Sequence, residues 1–242
     1  MYLEKTEAFV LSNSDYGESD RIVSLFTLEH GRIKGFARGA RNSRKRFGPA
    51  LENFARIYLQ LSHKDGLSSL RSADVISLYS GIRGDLGAIA HSLYACELIE
   101  CLTPEGVPLP RLYRLLAAYL DRLDSWRGDE TDRRMFEINL LNILGYRPSL
   151  DGCSRCGSVF GERGALLQQG GELICRFCAA TGRNMPVAAL QRLNSCLTTS
   201  RFGVVAFDEE SHQSVGILLD ELLATHSARK LKSLEFLQQI CG

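Results

Sequence analysis

The chain has 242 residues, with 29 Lys+Arg against 28 Asp+Glu and a formal net charge of +1. Hydrophobic residues make up 45% and charged residues 24%, which excludes a disordered chain, a fibre and an acidic solvating tail. The near-zero charge argues against a nucleic-acid binder only as a sum, because a sum hides distribution.

The opening stretch MYLEKTEAFVLSNSDYG has no charged region leading into a long apolar core, so no secretory signal is expected. No run of eighteen apolar residues occurs, so no membrane span is expected. A cytosolic setting follows as the expectation. There the eight cysteines (96, 101, 153, 156, 175, 178, 196 and 241) are not a disulfide framework.

Residues 1–80 read as a β domain. Phe9–Leu11, Ile22–Phe26, Arg32–Phe36 and Ala55–Leu61 are short β-prone runs, and Leu70 to Leu78 supplies a fifth. Ile57, Leu59 and Leu61 share one face, with Arg56, Tyr58 and Gln60 on the other. Gly17, Gly31, Gly48 and Gly66 punctuate the runs. Four or five short strands in about 80 residues suit a small barrel or sandwich.

Residues 82–145 read as helical. Ile89 to Ile99 carries apolar residues at three- and four-residue steps, and Thr103-Pro104-Glu105-Gly106 ends that helix. Pro108 and Pro110 precede a second helix over Leu112 to Leu120. Asp129 to Leu144 makes a third, with Phe136, Leu140, Leu141 and Leu144 on one stripe and Gly145 as its C-terminal cap. Val187 to Leu197, Ser214 to Leu223 and Arg229 to Ile240 are further helical stretches. The expected domain boundary falls near 78–84, giving domains 1–80 and 81–242. The segment 146–183 interrupts the helical part.

Cys153-Ser154-Arg155-Cys156 and Cys175-Arg176-Phe177-Cys178 lie in that interruption, 18 residues apart. Two CxxC steps at this separation predict a four-thiolate structural zinc site, one ion per chain. Each CxxC turn points two sulfurs at one centre, and a tetrahedral ion takes four. Soft thiolates favour zinc over hard cations. Residues 165–174 read as a hairpin around Gly170-Gly171, the layout of a zinc ribbon. Reduced free cysteines in loops and a redox CxxC are the competing readings. Cys96, Cys101 and Cys196 read as buried apolar thiols and Cys241 as without a role.

Residues 31–50, GRIKGFARGARNSRKRFGPA, hold seven basic residues and no acidic one. Arg32, Lys34, Arg38, Arg41, Arg44, Lys45 and Arg46 are the candidate nucleic-acid-binding residues. Such a run neutralises phosphates and releases counterions. Phe36 and Phe47 are interleaved and Tyr58 follows; exposed aromatics stack on bases. Gly35, Gly39 and Gly48 allow a loop to follow a strand backbone. The competing reading is a solvated basic loop with core phenylalanines.

No HExxH, GxxxxGK[ST] or GxSxG occurs, and no dinucleotide fingerprint fits. The histidines at 30, 63, 91, 212 and 226 are scattered, and His91 reads as a core or boundary residue. Asp121 and Asp124 read as solvated helix charges. No enzyme is expected and no catalytic residue is assigned.

The ordered set Tyr16-Gly17-Glu18-Ser19-Asp20-Arg21, Thr27, Gly31, Ala37-Arg38-Gly39-Ala40-Arg41 and Arg44-Lys45-Arg46-Phe47 resembles the bacterial RecO family of recombination mediators. Phe136-Glu137, Leu140-Leu141, Leu144-Gly145-Tyr146-Arg147-Pro148, Leu150-Asp151-Gly152-Cys153 and Leu231-Lys232-Ser233-Leu234 continue the resemblance over nearly the whole chain. Asn53-Phe54 departs from it, since many relatives place a proline before the aromatic.

The resemblance implies an α+β protein: an N-terminal OB-fold and a helical C-terminal domain with an inserted zinc finger. It implies binding of single- and double-stranded DNA and annealing of complementary strands. It also implies work with RecR, docking on the C-terminal tail of the single-strand-binding protein, and help in loading RecA, in the bacterial cytoplasm at the nucleoid. For that acidic tail, Arg229, Lys230 and Lys232 are candidate basic edges of a docking groove, against the competing reading of a solvated helix face. A zinc-ribbon adaptor that binds protein without DNA is the main alternative function, and a nucleic-acid-modifying enzyme with a structural zinc is a third.

Overall fold

The computed structural model describes residues 3–62, 67–126, 129–199, 201–227 and 229–241. His63 and Gly66 lie outside them. The first strands are β1 (Glu4–Tyr16), β2 (Asp20–Thr27), β3 (Gly31–Ala37), β4 (Arg56–Ser62) and β5 (Ser68–Ser77). They close into a barrel in the order β1-β2-β3-β5-β4. Only β3 and β5 run parallel; the other neighbours are antiparallel. This is the five-stranded closure of an OB-like barrel.

The period-two pattern decides what points inward. Ile57, Leu59 and Leu61 are fully buried in the barrel, while Tyr58 on the opposite face is exposed. Ala8, Val10, Val23, Leu25 and Ile33 complete the same core. Each buried aliphatic side chain contributes about 1.5–3 kcal/mol. On β3, Ile33 and Ala37 are buried, while Arg32, Lys34 and Phe36 alternate with them on the outer face. Gly35 is also an inward position: an added Cβ would lie 2.5 Å from the Leu70 side chain. It is a packing residue where β3 meets β5, not the loop glycine expected from the sequence.

Four helical turns and helices come next in chain order: α1 (Ser80–Arg83), α2 (Leu86–Leu102), α3 (Pro110–Trp126) and α4 (Glu130–Leu144). Three short strands follow, β6 (Ala165–Leu167), β7 (Leu173–Ile174) and β8 (Arg183–Met185). The chain ends with α5 (Val187–Thr198), α6 (Glu209–His226) and α7 (Lys232–Cys241). The strand pattern stops at Ser77, but the compact units divide elsewhere. One comprises Met1–Arg127 with Leu231–Gly242, the other Gly128–Lys230.

In the first unit Asp85 caps α2, its carboxylate accepting from the Ala88 amide at 2.8 Å. Asp124 is not a solvated charge; it accepts from the Ile82 amide at 3.1 Å and so holds α1 against the end of α3. His91 is buried, with its Nδ1 3.2 Å from the Tyr119 hydroxyl. The barrel face of β1 and β2 packs on α3 through Tyr113, whose ring lies 4.9 Å from that of Phe9 and 6.2 Å from that of Phe26. α7 returns to α2, where the Glu97 carboxylate accepts from the Ser233 amide at 2.7 Å.

In the second unit α4 is capped by Asp129 at its start and by Gly145, at φ +83°, at its end. Phe136, Leu140 and Leu141 are buried, and Leu144 is half-buried. A buried ionic cluster ties α4 to α6. Arg134 Nη1 donates to Glu137 at 2.8 Å and to Asp220 at 2.6 Å, and Arg133 Nε lies 3.8 Å from the other Glu137 oxygen. The hairpin around Gly170-Gly171 is present, and β8 adds a third strand in the order β7-β6-β8 that the sequence did not announce.

Candidate nucleic-acid interface and metal centre

The basic segment leaves the barrel at the end of β3. Gly39 takes φ +65°, and its amide donates to Asp20 at 2.7 Å. Ala40–Asn42 makes one turn of 3-10 helix, latched by the Arg41 amide on the Ser19 carbonyl at 3.0 Å. Arg46 then folds the loop onto itself. Its guanidinium donates to Ser43 Oγ at 3.0 Å and to the Arg38 carbonyl at 2.7 Å, and lies 5.2 Å from the centre of the Phe47 ring. Phe47 belongs to the barrel core, so it is not a base-stacking residue.

Acid-free in sequence is not acid-free in space. Arg32 donates to the Thr103 carbonyl at 3.0 Å and pairs with Glu105 at 3.1 Å; Lys34 lies 3.7 Å from the same carboxylate. Arg41 lies 3.6 Å from Asp15, which also holds Arg21 at 3.1 Å. Arg38, Arg44 and Lys45 remain exposed, and their side chains make no ion pair or hydrogen bond among the described residues. Exposed pairs such as Lys34 with Glu105 are worth at most about 1 kcal/mol, so a phosphate can replace the carboxylate. The seven cations thus fall into three ready ones, three paired ones and one, Arg46, that builds the loop. A hollow of about 380 Å³ lies within the loop, lined by Ala40, Arg41, Ser43, Arg44, Gly48 and Pro49.

The outer barrel face adds an aromatic pair. Tyr16 is exposed and meets the half-buried Phe36 edge to face, ring centres 5.8 Å apart. Sequence reading passed over Tyr16 as a site residue. Its signal was its place as the last strand residue before the Gly17 turn, where nothing covers a large ring. Asn53, at the departure from the family pattern, takes a hydrogen bond from Asn13 at 2.7 Å, and Phe54 sits at φ +54°.

The candidate metal centre is built from two knuckle turns. In the first, the Gly157 amide donates to the Cys153 carbonyl at 2.8 Å; in the second, the Cys178 amide donates to the Cys175 carbonyl at 3.0 Å. The Ser154 amide donates to the Leu173 carbonyl at 3.0 Å and ties the first turn to β7. The four cysteine sulfurs all lie within 4.8 Å of one another. Cys156 Sγ and Cys175 Sγ are 3.6 Å apart. Metal–sulfur bonds of about 2.3 Å in a tetrahedron place sulfurs about 3.8 Å apart. Four soft donors at that spacing fit a metal ion with no open position. Burial opposes the Cys153 thiolate, but the amides of Cys175, Cys156 and Arg155 outweigh it and bring its pKa down to about 6. Hydrogen bonds with Cys156 and Cys175 push the Cys178 thiol up to about 12.

The other cysteines lie outside the cluster. Cys96 and Cys196 are buried, Cys101 is half-buried and Cys241 exposed. Arg229 and Lys230 are exposed residues before α7, and Lys232 is exposed as its first residue. No helix among the described residues is long and apolar enough to cross a membrane.

Residues 1–79 match the family described as Recombination protein O N terminal, and residues 83–235 that described as Recombination protein O C terminal. A protein named DNA repair protein RecO from Pelobacter propionicus is 61% identical over 241 residues, covering 99% of this chain and 98% of that protein. Its namesake from Geobacter metallireducens is 50% identical over 240 residues, covering 98% and 97%. That from Geobacter sulfurreducens is 48% identical over 241 residues, covering 99% of each. Both parts of the chain, barrel and helical, are matched in order and nearly in full, and the chain belongs to the RecO family of DNA repair proteins.

Proposed function

We propose that this protein is a recombination mediator that binds single- and double-stranded DNA and anneals complementary strands. With RecR it helps load RecA onto DNA coated by single-strand-binding protein. Family membership carries the role in recombinational repair. The observation that supports direct DNA contact is the set Arg38, Arg44 and Lys45: three exposed cations whose side chains have no partner among the described residues, on the same barrel as the Tyr16–Phe36 pair. In this reading the barrel of residues 1–80 holds the phosphates, with Arg32, Lys34 and Arg41 exchanging carboxylate for phosphate as a strand arrives and Arg46 keeping the loop in shape. The helical part, 81–242, receives protein partners, with Arg229, Lys230 and Lys232 as edges for the acidic tail of the single-strand-binding protein.

No covalent chemistry is needed. Cations on the loop let two phosphate chains approach without mutual repulsion, and base pairing supplies the drive. The ion at Cys153, Cys156, Cys175 and Cys178 is zinc in this proposal, on the preference of four thiolates; it supplies a cross-link and no reaction step. The protein acts in the bacterial cytoplasm, at the nucleoid. Annealing of complementary oligonucleotides by the purified protein, with and without single-strand-binding protein and in the absence of nucleotide, is the test. Annealing in both cases is expected. Failure to bind or anneal either strand, with a bound protein partner retained, would establish the adaptor reading instead.

A further inference from the structure

The tip of the four-cysteine module is unlike the rest of the surface. Phe177, between Cys175 and Cys178, is 100% exposed, and Val159 on the facing loop is 81% exposed. Between them lies a cleft of about 670 Å³, whose walls include Val159, Phe160, Glu162, Arg163, Arg176 and Phe177, so two cations face it against one acid. An aromatic ring left wholly in water is an uncompensated cost for a free protein, and such apolar exposure marks interaction sites.

The charge around the cleft indicates the occupant. The segment 147–185 holds five arginines (147, 155, 163, 176 and 183), three acids and no lysine. Two of the acids are engaged: Glu172 by Ser154 at 2.9 Å and Arg155 at 3.5 Å, Asp151 by Asn194 at 2.9 Å. Arg163 is exposed, and its side chain has no ion pair or hydrogen bond among the described residues. Arg176, also on the cleft wall, donates from Nη2 to Asn184 Oδ1 at 2.5 Å and to the Arg163 carbonyl at 3.4 Å. Arginine offers a planar fork for phosphate and a flat face for stacking, which lysine lacks. A ring standing wholly in solvent at the edge of the cleft suits the face of a base.

We infer that the Phe177–Arg163 cleft is a second contact surface for single-stranded DNA, stacking a base on Phe177 and holding its phosphate at Arg163 and Arg176. The inference rests on the reading that the chain binds and anneals single strands, and it assigns one strand to each compact unit. Annealing needs two strands held at once, and the basic loop accounts for one.

The test uses the full-length, metal-loaded protein and oligo(dT) carrying iododeoxyuridine, which crosslinks to a stacked aromatic ring under ultraviolet light. Crosslinking is expected at Phe177. Phe177→Ala should abolish it and slow annealing at least about fivefold, the loss of one stacked base, while Phe177→Trp restores both. Retained metal content shows that the variant is folded; if Phe177→Ala loses metal, Arg163→Ala, remote from the sulfurs in sequence, replaces it with the same expectation. No crosslink at Phe177, or wild-type annealing by the folded variants, overturns the inference. So does protection of Phe177 by an acidic peptide ending in an aromatic residue but not by DNA. Replacing Arg38, Arg44 and Lys45 by Ala is the separate arm: unchanged single-strand affinity there overturns the parent reading, whatever Phe177 does.

Discussion

Arg46 donates a hydrogen bond of 2.7 Å to the carbonyl of Arg38, so one cation of the basic loop is spent on holding another in place. A run that reads as uniform charge is therefore divided between Arg46, which builds the loop, and side chains that stay exposed. Arg46→Ala should loosen the loop, through the lost bonds to Ser43 and Arg38 and the lost cation–π contact with Phe47. At this exposed position about 1 kcal/mol is expected. Urea unfolding of the wild type and variant checks it.

Joint replacement of Arg38, Arg44 and Lys45 by Ala should act differently. Stability changes little, because these side chains hold nothing. The slope of log affinity against log salt for single strands should flatten by about 2, at roughly 0.7 for each lost phosphate contact. A salt titration by fluorescence anisotropy reads it directly. A slope equal to the wild type would remove these three residues from the interface.

Chelation, or Cys156→Ser, should release the ion and loosen the module. Amides of residues 153–185 are expected to lose protection in hydrogen exchange, because β6, β7 and β8 together span eight residues and have little core of their own. Amides of β1–β5 should stay protected. Metal content should also fall as pH falls, since every thiol must lose its proton to ligate. Unchanged exchange after complete metal removal would show that the strands stand without it.

Glu137 is fully buried between Arg133 and Arg134. Glu137→Gln removes one carboxylate that both guanidinium groups face, while Arg134 keeps Asp220 and Arg133 keeps Glu130. Losing a charged hydrogen bond within a buried cluster costs about 1.5–3 kcal/mol. Denaturant unfolding followed by a reporter in residues 128–230 should show that loss.

Gly31→Ala tests a close approach. Gly31 sits at φ +64°, and an added Cβ would lie 1.9 Å from the Val107 carbonyl oxygen. Strain and displacement together should cost on the order of 2–3 kcal/mol. Thermal unfolding gives the figure, and an unaffected midpoint would mean that the loop after α2 yields freely.

Much of this was legible in the sequence, for reasons that also mark where legibility stopped. Alternation at Ile57, Leu59 and Leu61 reports a buried face, and the barrel uses that face. Asp129 and Gly145 bracket α4 because capping is local chemistry. The cysteine spacing reports the four-sulfur cluster because a knuckle turn is also local. Periodicity does not say what a face or charge meets from elsewhere in the chain. Glu105 reaches Arg32 across 73 positions, and Asp15 reaches Arg41 by the folding of the β1–β2 turn over the loop. Asp124 looks solvated on its own helix until α1 arrives with an amide to be capped. Phe47 looks like a stacking residue among arginines until the loop turns its ring into the barrel.

The return of α7 to α2 fixes an order of events during synthesis. The compact unit that begins at the first strand includes residues 231–242, held by Glu97 and Ser233. All of residues 128–230 are made in between. The barrel strands and α2 leave the ribosome early, but α2 keeps an open side until residues 231–242 appear. A chain stalled or cleaved within α6 would carry a finished barrel and an apolar helix face with no cover, which makes such fragments clients for chaperones and proteases.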